Sequence, residues 1–206
     1  MREALDTPVG SLPVVALVAS AGGLAAVSEV LGGLPVDLGA AVIVLVHQQP
    51  DRLSALTSLL ARRSGLPVQA AEDNRRLCAG TVVVAPPGKH VLIAAGPTVA
   101  LIGSGVAPPS RPSADLLLAT LATTCGPRAT AVVLSGRGHD GATGASAIRR
   151  FGGTVVASSE ASSEYFSMPQ AAVDRAAAID QIVELTDVAA LLASRVAAAH
   201  GEGHEP

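Results

Sequence analysis

The chain has 206 residues and a formal net charge of −3, with 49% hydrophobic, 15% charged and 1% aromatic residues. That length suits one α/β domain, and so large an apolar share excludes an intrinsically disordered chain. The pairs Arg62-Arg63, Arg75-Arg76 and Arg149-Arg150 stand apart rather than in a stripe, and almost no rings exist to stack on bases, which argues against nucleic-acid binding.

Residues 1–13 read as a flexible arm: Glu3 and Asp6 oppose Arg2, and Pro8 and Pro13 interrupt any leader-like run. A single domain is expected over residues 14–199 and a disordered tail over 200–206. No apolar run approaches the ~20 residues of a membrane helix, so a cytoplasmic setting without membrane insertion is expected. The first strand, 14–19, ends at Ser20, and a helix over 24–31 is stopped by Gly32-Gly33 and Pro35. A second strand over 40–46 ends at His47, and Asp51 is expected to cap a helix over 52–63. Short strands at 68–71 and 81–85 precede a hairpin, 91–94 and 99–102, turning at Gly96-Pro97. The hairpin is expected to add antiparallel strands to an otherwise parallel sheet.

Ser113 is expected to cap a helix over 114–124, with Asp115 favouring its dipole. A strand over 130–135 passes through Gly136-Arg137-Gly138-His139-Asp140-Gly141 into a helix ending near Phe151. A strand over 154–157 and a polar loop over 158–167 lead to a helix over 169–177, with Pro169 at its first position. A strand-like run over 179–184 and a helix over 187–199 capped by Thr186 complete the chain. Strands alternating with helices predict a doubly wound α/β fold. Its sheet is mostly parallel and flanked by helices, with one antiparallel β-hairpin.

Three of these apolar runs break off at reactive side chains: Ser20, His47, and the loop that carries Asp140. In an open parallel sheet ligands bind beyond the carboxyl ends of the strands, so a serine, a histidine and an aspartate share one rim. That is the inventory of a hydrolytic triad. A serine hydroxyl needs an adjacent base, which His47 supplies, and Asp140 fixes the imidazole tautomer. The N–H groups of Ala21 and Gly22 are candidate oxyanion donors. Ser20-Ala21-Gly22 resembles a nucleophile elbow, although Val18 takes the place of its first glycine. The plainer alternatives are a serine N-cap for Ser20 and a helix cap for Asp140.

Gly136-x-Gly138-x-x-Gly141, with Glu160 after the next strand, also spells a dinucleotide-binding loop, which makes an oxidoreductase an alternative. A carboxylate at Asp140 would occupy that helix N-terminus and repel phosphates, so Asp140 is expected to be held there itself. Cys78 and Cys125 read as small buried hydrophobes in a reducing compartment. No His/Cys/Asp set has zinc spacing, so no metal is expected. His90 is expected on a loop lining the rim, and His139 beside Asp140; His200 and His204 read as surface.

The motifs Ala19-Ser20-Ala21-Gly22-Gly23, His47, Ala70-Ala71-Glu72-Asp73, Val84-Ala85-Pro86-Pro87-Gly88-Lys89-His90, Arg111-Pro112-Ser113-Ala114-Asp115, Leu134 to Ala142, and Glu160-Ala161-Ser162 occur in an informative order. That order resembles the catalytic domain of the chemotaxis receptor protein-glutamate methylesterases (CheB-type), from about residue 14 to 196. The resemblance implies hydrolysis of glutamate γ-methyl esters on chemoreceptor cytoplasmic helices, releasing methanol, with deamidation of receptor glutamines as a second activity. It implies Ser20 as nucleophile, His47 as base, Asp140 as orienting acid and no cofactor. Arg137, His139, His90 and Arg111 become candidates for the substrate rim. The implied partner is the methylated chemoreceptor cytoplasmic domain. Control by the family's usual receiver domain would come from another chain, a separate receiver protein, or be missing. Three departures stand out: Ala21 where Thr or Ser is common, Arg137 where Met is usual, and Gln48-Gln49-Pro50 in place of Met-Pro after the histidine. Arg137 in particular keeps open a second reading, a catalytically weak receptor-docking module.

Overall fold

The structure, a computed structural model, describes residues 12–49, 54–103, 112–176 and 179–201. The expected arm and tail, Asp51, Arg111 and His204 lie wholly or mostly outside them, as does the side chain of His200. The elements in chain order are β1 Val14–Ala19, α1 Gly23–Gly33, β2 Ala41–Val46, α2 Leu56–Ala61, β3 Val68–Ala70 and β4 Val82–Val84. They continue with β5 Lys89–Ala94, β6 Thr98–Gly103, α3 Ala114–Cys125, β7 Ala129–Val133, α4 Ala142–Arg150, β8 Thr154–Ser158, α5 Ser167–Ala176, β9 Gln181–Val183 and α6 Val188–Gly201.

Seven strands form one sheet in the order β3-β4-β2-β1-β7-β8-β9, and every pairing within it is parallel. The two central strands show why their sequences are continuous apolar runs. Val14, Ala16 and Val18 of β1, with Ala41, Ile43 and Leu45 of β2, face the core shared with α3, α4 and α5. Val15, Leu17 and Ala19, with Val42, Val44 and Val46, face the opposite core under α1, α2 and α6. Side chains alternate along a strand, so a sheet covered on both faces demands apolar residues at every position. The chain winds outward from β1 through β2, then returns to place β7 on the other side of β1. The crevice beyond the carboxyl ends of β1 and β7 is therefore a topological switch point, where such folds bind ligands.

The hairpin differs from expectation. β5 and β6 pair antiparallel as a separate two-stranded sheet, joined to the chain before β4 at the bridge Arg76–Thr98, where Asn74 N donates to Val99 O, Val99 N to Arg75 O and Leu77 N to Pro97 O. The sheet edge beside β4 is already taken by β3. The hairpin instead buries Val91, Ile93 and Val99 against the α3 side of the core. Two hydroxyls of α3 satisfy its backbone, Thr120 Oγ1 accepting from Ile93 N at 3.0 Å and Thr124 Oγ1 donating to Ile93 O at 2.8 Å.

Smaller differences have local causes. α1 includes Gly32 and Gly33 as its last residues instead of stopping before them. α2 starts only at Leu56, whose N–H is taken by Ser54 Oγ at 3.1 Å. α5 begins at Ser167, so Pro169 sits third, still within the first turn where a missing N–H costs nothing. Thr186 lies inside a 3₁₀ turn, Leu185–Asp187, that leads into α6, so it is not that helix's cap. Cys125 is buried, as expected, but Cys78 is exposed.

Candidate active site

β1 delivers Ser20 to the switch point, and the turn that follows is closed by glycine. Gly22 adopts φ 73°, the left-handed conformation that glycine occupies without steric cost, and stands as the N-cap of α1 with no side-chain cap. Ser20 is therefore not the N-cap of α1, and its hydroxyl is not consumed by that role. The Ser20 N–H donates to Ser135 O at 3.0 Å, and Ser135 Oγ donates to Ala21 O at 2.9 Å while accepting from Tyr165 N at 3.0 Å. These bonds stitch the serine turn to the loop after β7. Among the described residues no carbonyl claims the N–H of Ala21 or Gly22, which leaves both available as donors.

Gly136 explains the first glycine of the loop. A Cβ there would stand 2.5 Å from Met168 Sδ and 3.0 Å from Ser20 Cβ, so the position admits no side chain beside the serine.

β2 delivers His47, whose N–H is anchored on Ala19 O at 3.0 Å. The ring Nε2 lies 2.8 Å from Asp140 Oδ2, and the two side chains are each 16% exposed. A carboxylate only accepts, so Nε2 carries the proton and Nδ1 is the basic nitrogen. This reverses the ring relative to the usual serine-hydrolase template, in which Nδ1 faces the aspartate. The structure records no hydrogen bond between His47 and Ser20 Oγ. Such bonds are commonly long without substrate and tighten in the Michaelis complex.

Asp140 is held, but not by the helix its position suggested. It precedes α4 yet caps α3: Oδ2 accepts from Ala114 N at 2.8 Å, and Oδ1 from Asp115 N at 2.9 Å and Ser113 Oγ at 3.0 Å. The N-terminus of α4, whose N-cap Gly141 has no side chain to offer, is capped in return by Asp115. Its Oδ1 accepts from Gly141 N at 2.9 Å and Gly144 N at 2.8 Å. The two helices exchange aspartates. Burial pushes the Asp140 carboxyl up, but it is outweighed by the bonds from His47, Asp115 N and Ala114 N and by the charge of His47. The net result lies below the ordinary carboxylate value.

The exchange also removes the dinucleotide alternative. The N–H groups that a pyrophosphate would need at the start of α4 are occupied by the carboxylate of Asp115. Among the described residues no group of three or more His, Cys, Asp and Glu is arranged to hold a metal ion. No helix among them is long and apolar enough to cross a membrane.

A family model described as CheB methylesterase matches residues 15–192. The chain belongs to the CheB methylesterase family. It is 35% identical to a protein-glutamate methylesterase/protein-glutamine glutaminase of Moorella thermoacetica, over 97% of this chain and 49% of that protein. It is 36% identical to the protein-glutamate methylesterase FrzG of Myxococcus xanthus, over 93% of this chain and 56% of that one. The chain thus spans about half the length of the curated relatives it matches. The crystal structure of the Thermotoga maritima CheB methylesterase catalytic domain matches with a TM-score of 0.85 at 28% identity. It covers 90% of this chain and 99% of that one.

On this CheB-family domain the expected rim residues separate. Arg137 is exposed, with its guanidinium 4.3 Å from the centroid of the Tyr165 ring, a cation–π stack beside the Ser135–Gly136 turn. His139 is exposed, and its carbonyl accepts from Ala142 N at 3.2 Å. His90 is not on the rim. It lies in β5, 2% exposed, and its Nδ1 accepts from Ser113 N at 3.2 Å. It thus buttresses the segment that holds Asp140. Arg111 lies outside the described residues. Asp115, Ser113 and Ser135 were not read from the sequence as parts of the site. The signal for Asp115 was present: α4 starts at a glycine, and its orphan N–H groups need an acceptor from elsewhere in the chain.

Proposed function

We propose that this chain hydrolyses γ-methyl esters of glutamate side chains on the cytoplasmic domain of chemoreceptors, and deamidates glutamines at such positions. The observation that carries the reading is the His47–Asp140 pair at the switch point, next to a serine whose hydroxyl caps no helix. The names of the relatives from Moorella thermoacetica and Myxococcus xanthus supply the substrate class.

In this reading His47 Nδ1 takes the Ser20 proton as Oγ attacks the ester carbonyl. The tetrahedral oxyanion is met by the N–H groups of Ala21 and Gly22, which sit at the positive end of α1. Asp140 stays ionised and stabilises the imidazolium. Collapse breaks the bond to the methoxy oxygen. The imidazolium returns its proton to that oxygen, methanol leaves, and a glutamyl-Ser20 ester remains. Water, activated by the same imidazole, then releases the carboxylate and restores the serine. With glutamine in place of the ester the leaving group is ammonia and the remaining steps are unchanged.

Methanol release from a methylated receptor fragment tests this. Ser20→Ala is expected to lower the rate by about 10⁴-fold or more with the fold unchanged by circular dichroism. An active-site phosphonate should label Ser20. Absence of label combined with retained receptor binding would overturn the reading in favour of a docking module.

A further inference from the structure

A cleft of about 760 Å³ opens at Ser20 and is lined by Gly22, Leu24, Leu59, Arg62 and Arg63, among others. The nucleophile marks one end. The arginines mark the other, because a Cβ on Gly32, near the C-terminus of α1, would lie 3.4 Å from Arg63 O. From Gly22 to Gly32 the helix rises roughly 15 Å, which sets the backbone of Arg63 two to three helical turns away from the serine turn.

Both arginines are exposed, and neither enters an ion pair among the described residues, where the pairs are His47–Asp140, Arg75–Glu72 and Arg149–Asp180. Glu29 also lines the cleft and pairs with neither. Two unpaired cations thus stand with one carboxylate, Glu29, among the lining residues, while Glu164 lies at the opposite end, its Oε2 2.8 Å from where a Gly22 Cβ would be, in a chain of net charge −3. A capping role for them at the end of α2 is weakened because Leu60 O already accepts from Arg63 N and Ser64 N. The reacting group, meanwhile, is a neutral ester and offers no charge to recognise. Electrostatic selection must therefore act on its neighbours.

We propose that this cleft seats the helical substrate segment, and that Arg62 and Arg63 bind a carboxylate side chain on it about two to three helical turns from the esterified glutamate. The inference rests on the ester hydrolysis proposed at Ser20 and names what that site selects.

The test uses helical peptides that carry one γ-methyl glutamate and, seven and ten residues to either side, glutamates, glutamines or lysines. At low salt the acidic peptide is expected to give a kcat/KM about three- to tenfold above the glutamine peptide, a ratio that 0.5 M salt removes. In R62Q/R63Q the ratio falls to one, while turnover of the small neutral ester p-nitrophenyl acetate is unchanged. In R62E/R63E the preference passes to the lysine peptide. An acid-to-neutral ratio of one in the natural protein, or a ratio indifferent to charge reversal, overturns the proposal. Binding of the same sequences with glutamine at the reactive position, followed by fluorescence anisotropy on Ser20→Ala, reads the preference without turnover. Preference with no ester hydrolysis would sink the proposed reaction and keep the docking site. Hydrolysis with no preference would do the reverse.

Discussion

The two ends of the site are built in opposite ways. At the Asp140 end both carboxylate oxygens are engaged, by His47, Ser113, Ala114 and Asp115. At the Ser20 end the hydroxyl and the two N–H groups after it are left without partners among the described residues. The difference follows from the chemistry proposed. The orienting acid must not move or change charge, so it is fixed by donors from another helix. The nucleophile and its oxyanion donors must be free to bind what arrives, so they are shaped by a glycine turn and by packing instead.

The strongest way to break this contrast is Asp140→Asn. The amide can donate to Nε2 and so favour the wrong tautomer, leaving Nδ1 protonated toward the serine. A loss of about 10⁴-fold in kcat is expected from methanol-release kinetics. The same variant reads out the depressed carboxyl. A folded pKa below the unfolded one contributes stability that is complete above about pH 4 and is lost as pH falls through the folded value. Denaturant midpoints of Asp140→Asn and the natural protein should therefore differ at neutral pH and converge in acid. Parallel curves down to pH 2 would contradict the depressed value.

Gly136→Ala acts on the open end. Its Cβ collides with Met168 Sδ and crowds Ser20 Cβ, so a stability loss of about 1–3 kcal/mol and a kcat lower by about 10²-fold are expected from thermal melts and methanol release. Asp115→Ala is the milder probe of the fixed end. It removes the cap of α4 while leaving the Asp140 carboxylate chemically intact. A cost of about 1–2 kcal/mol and a roughly tenfold drop in kcat with KM unchanged are expected, with Asp115→Asn recovering most of the rate. Equal loss in kcat and rise in KM would mean the helix ends position substrate rather than Asp140.

Much of this was legible in the chain. β1 and β2 announced themselves because burial on both faces leaves no polar position, and the order of motifs around Ser20, His47 and Asp140 is specific to one family. What stayed hidden depends on contacts between distant segments. Asp140 looked like a local cap and Asp115 like a first-turn acid favouring its own helix dipole, because each stands at a helix start. That each serves the other's helix is a fact of packing between α3 and α4. His90 follows Pro86-Pro87-Gly88, which reads as an exposed loop, yet β5 folds under α3 and buries it. The hairpin was visible, but not that β3 would exclude it from the main sheet.

The exchanged aspartates also define what can be moved as a unit. Residues 135–141 look like a self-contained catalytic loop, and the serine turn looks like another. Neither carries its own orientation: Asp140 points correctly only where the first turn of α3 receives it, and α4 starts cleanly only where Asp115 reaches across. Transplanted alone into another doubly wound sheet, the glycine-rich loop would bring the acid without its aim. The smallest portable part of this site is a pair of helix starts, whose aspartates Asp115 and Asp140 stand 25 positions apart in the sequence and are meaningful only together.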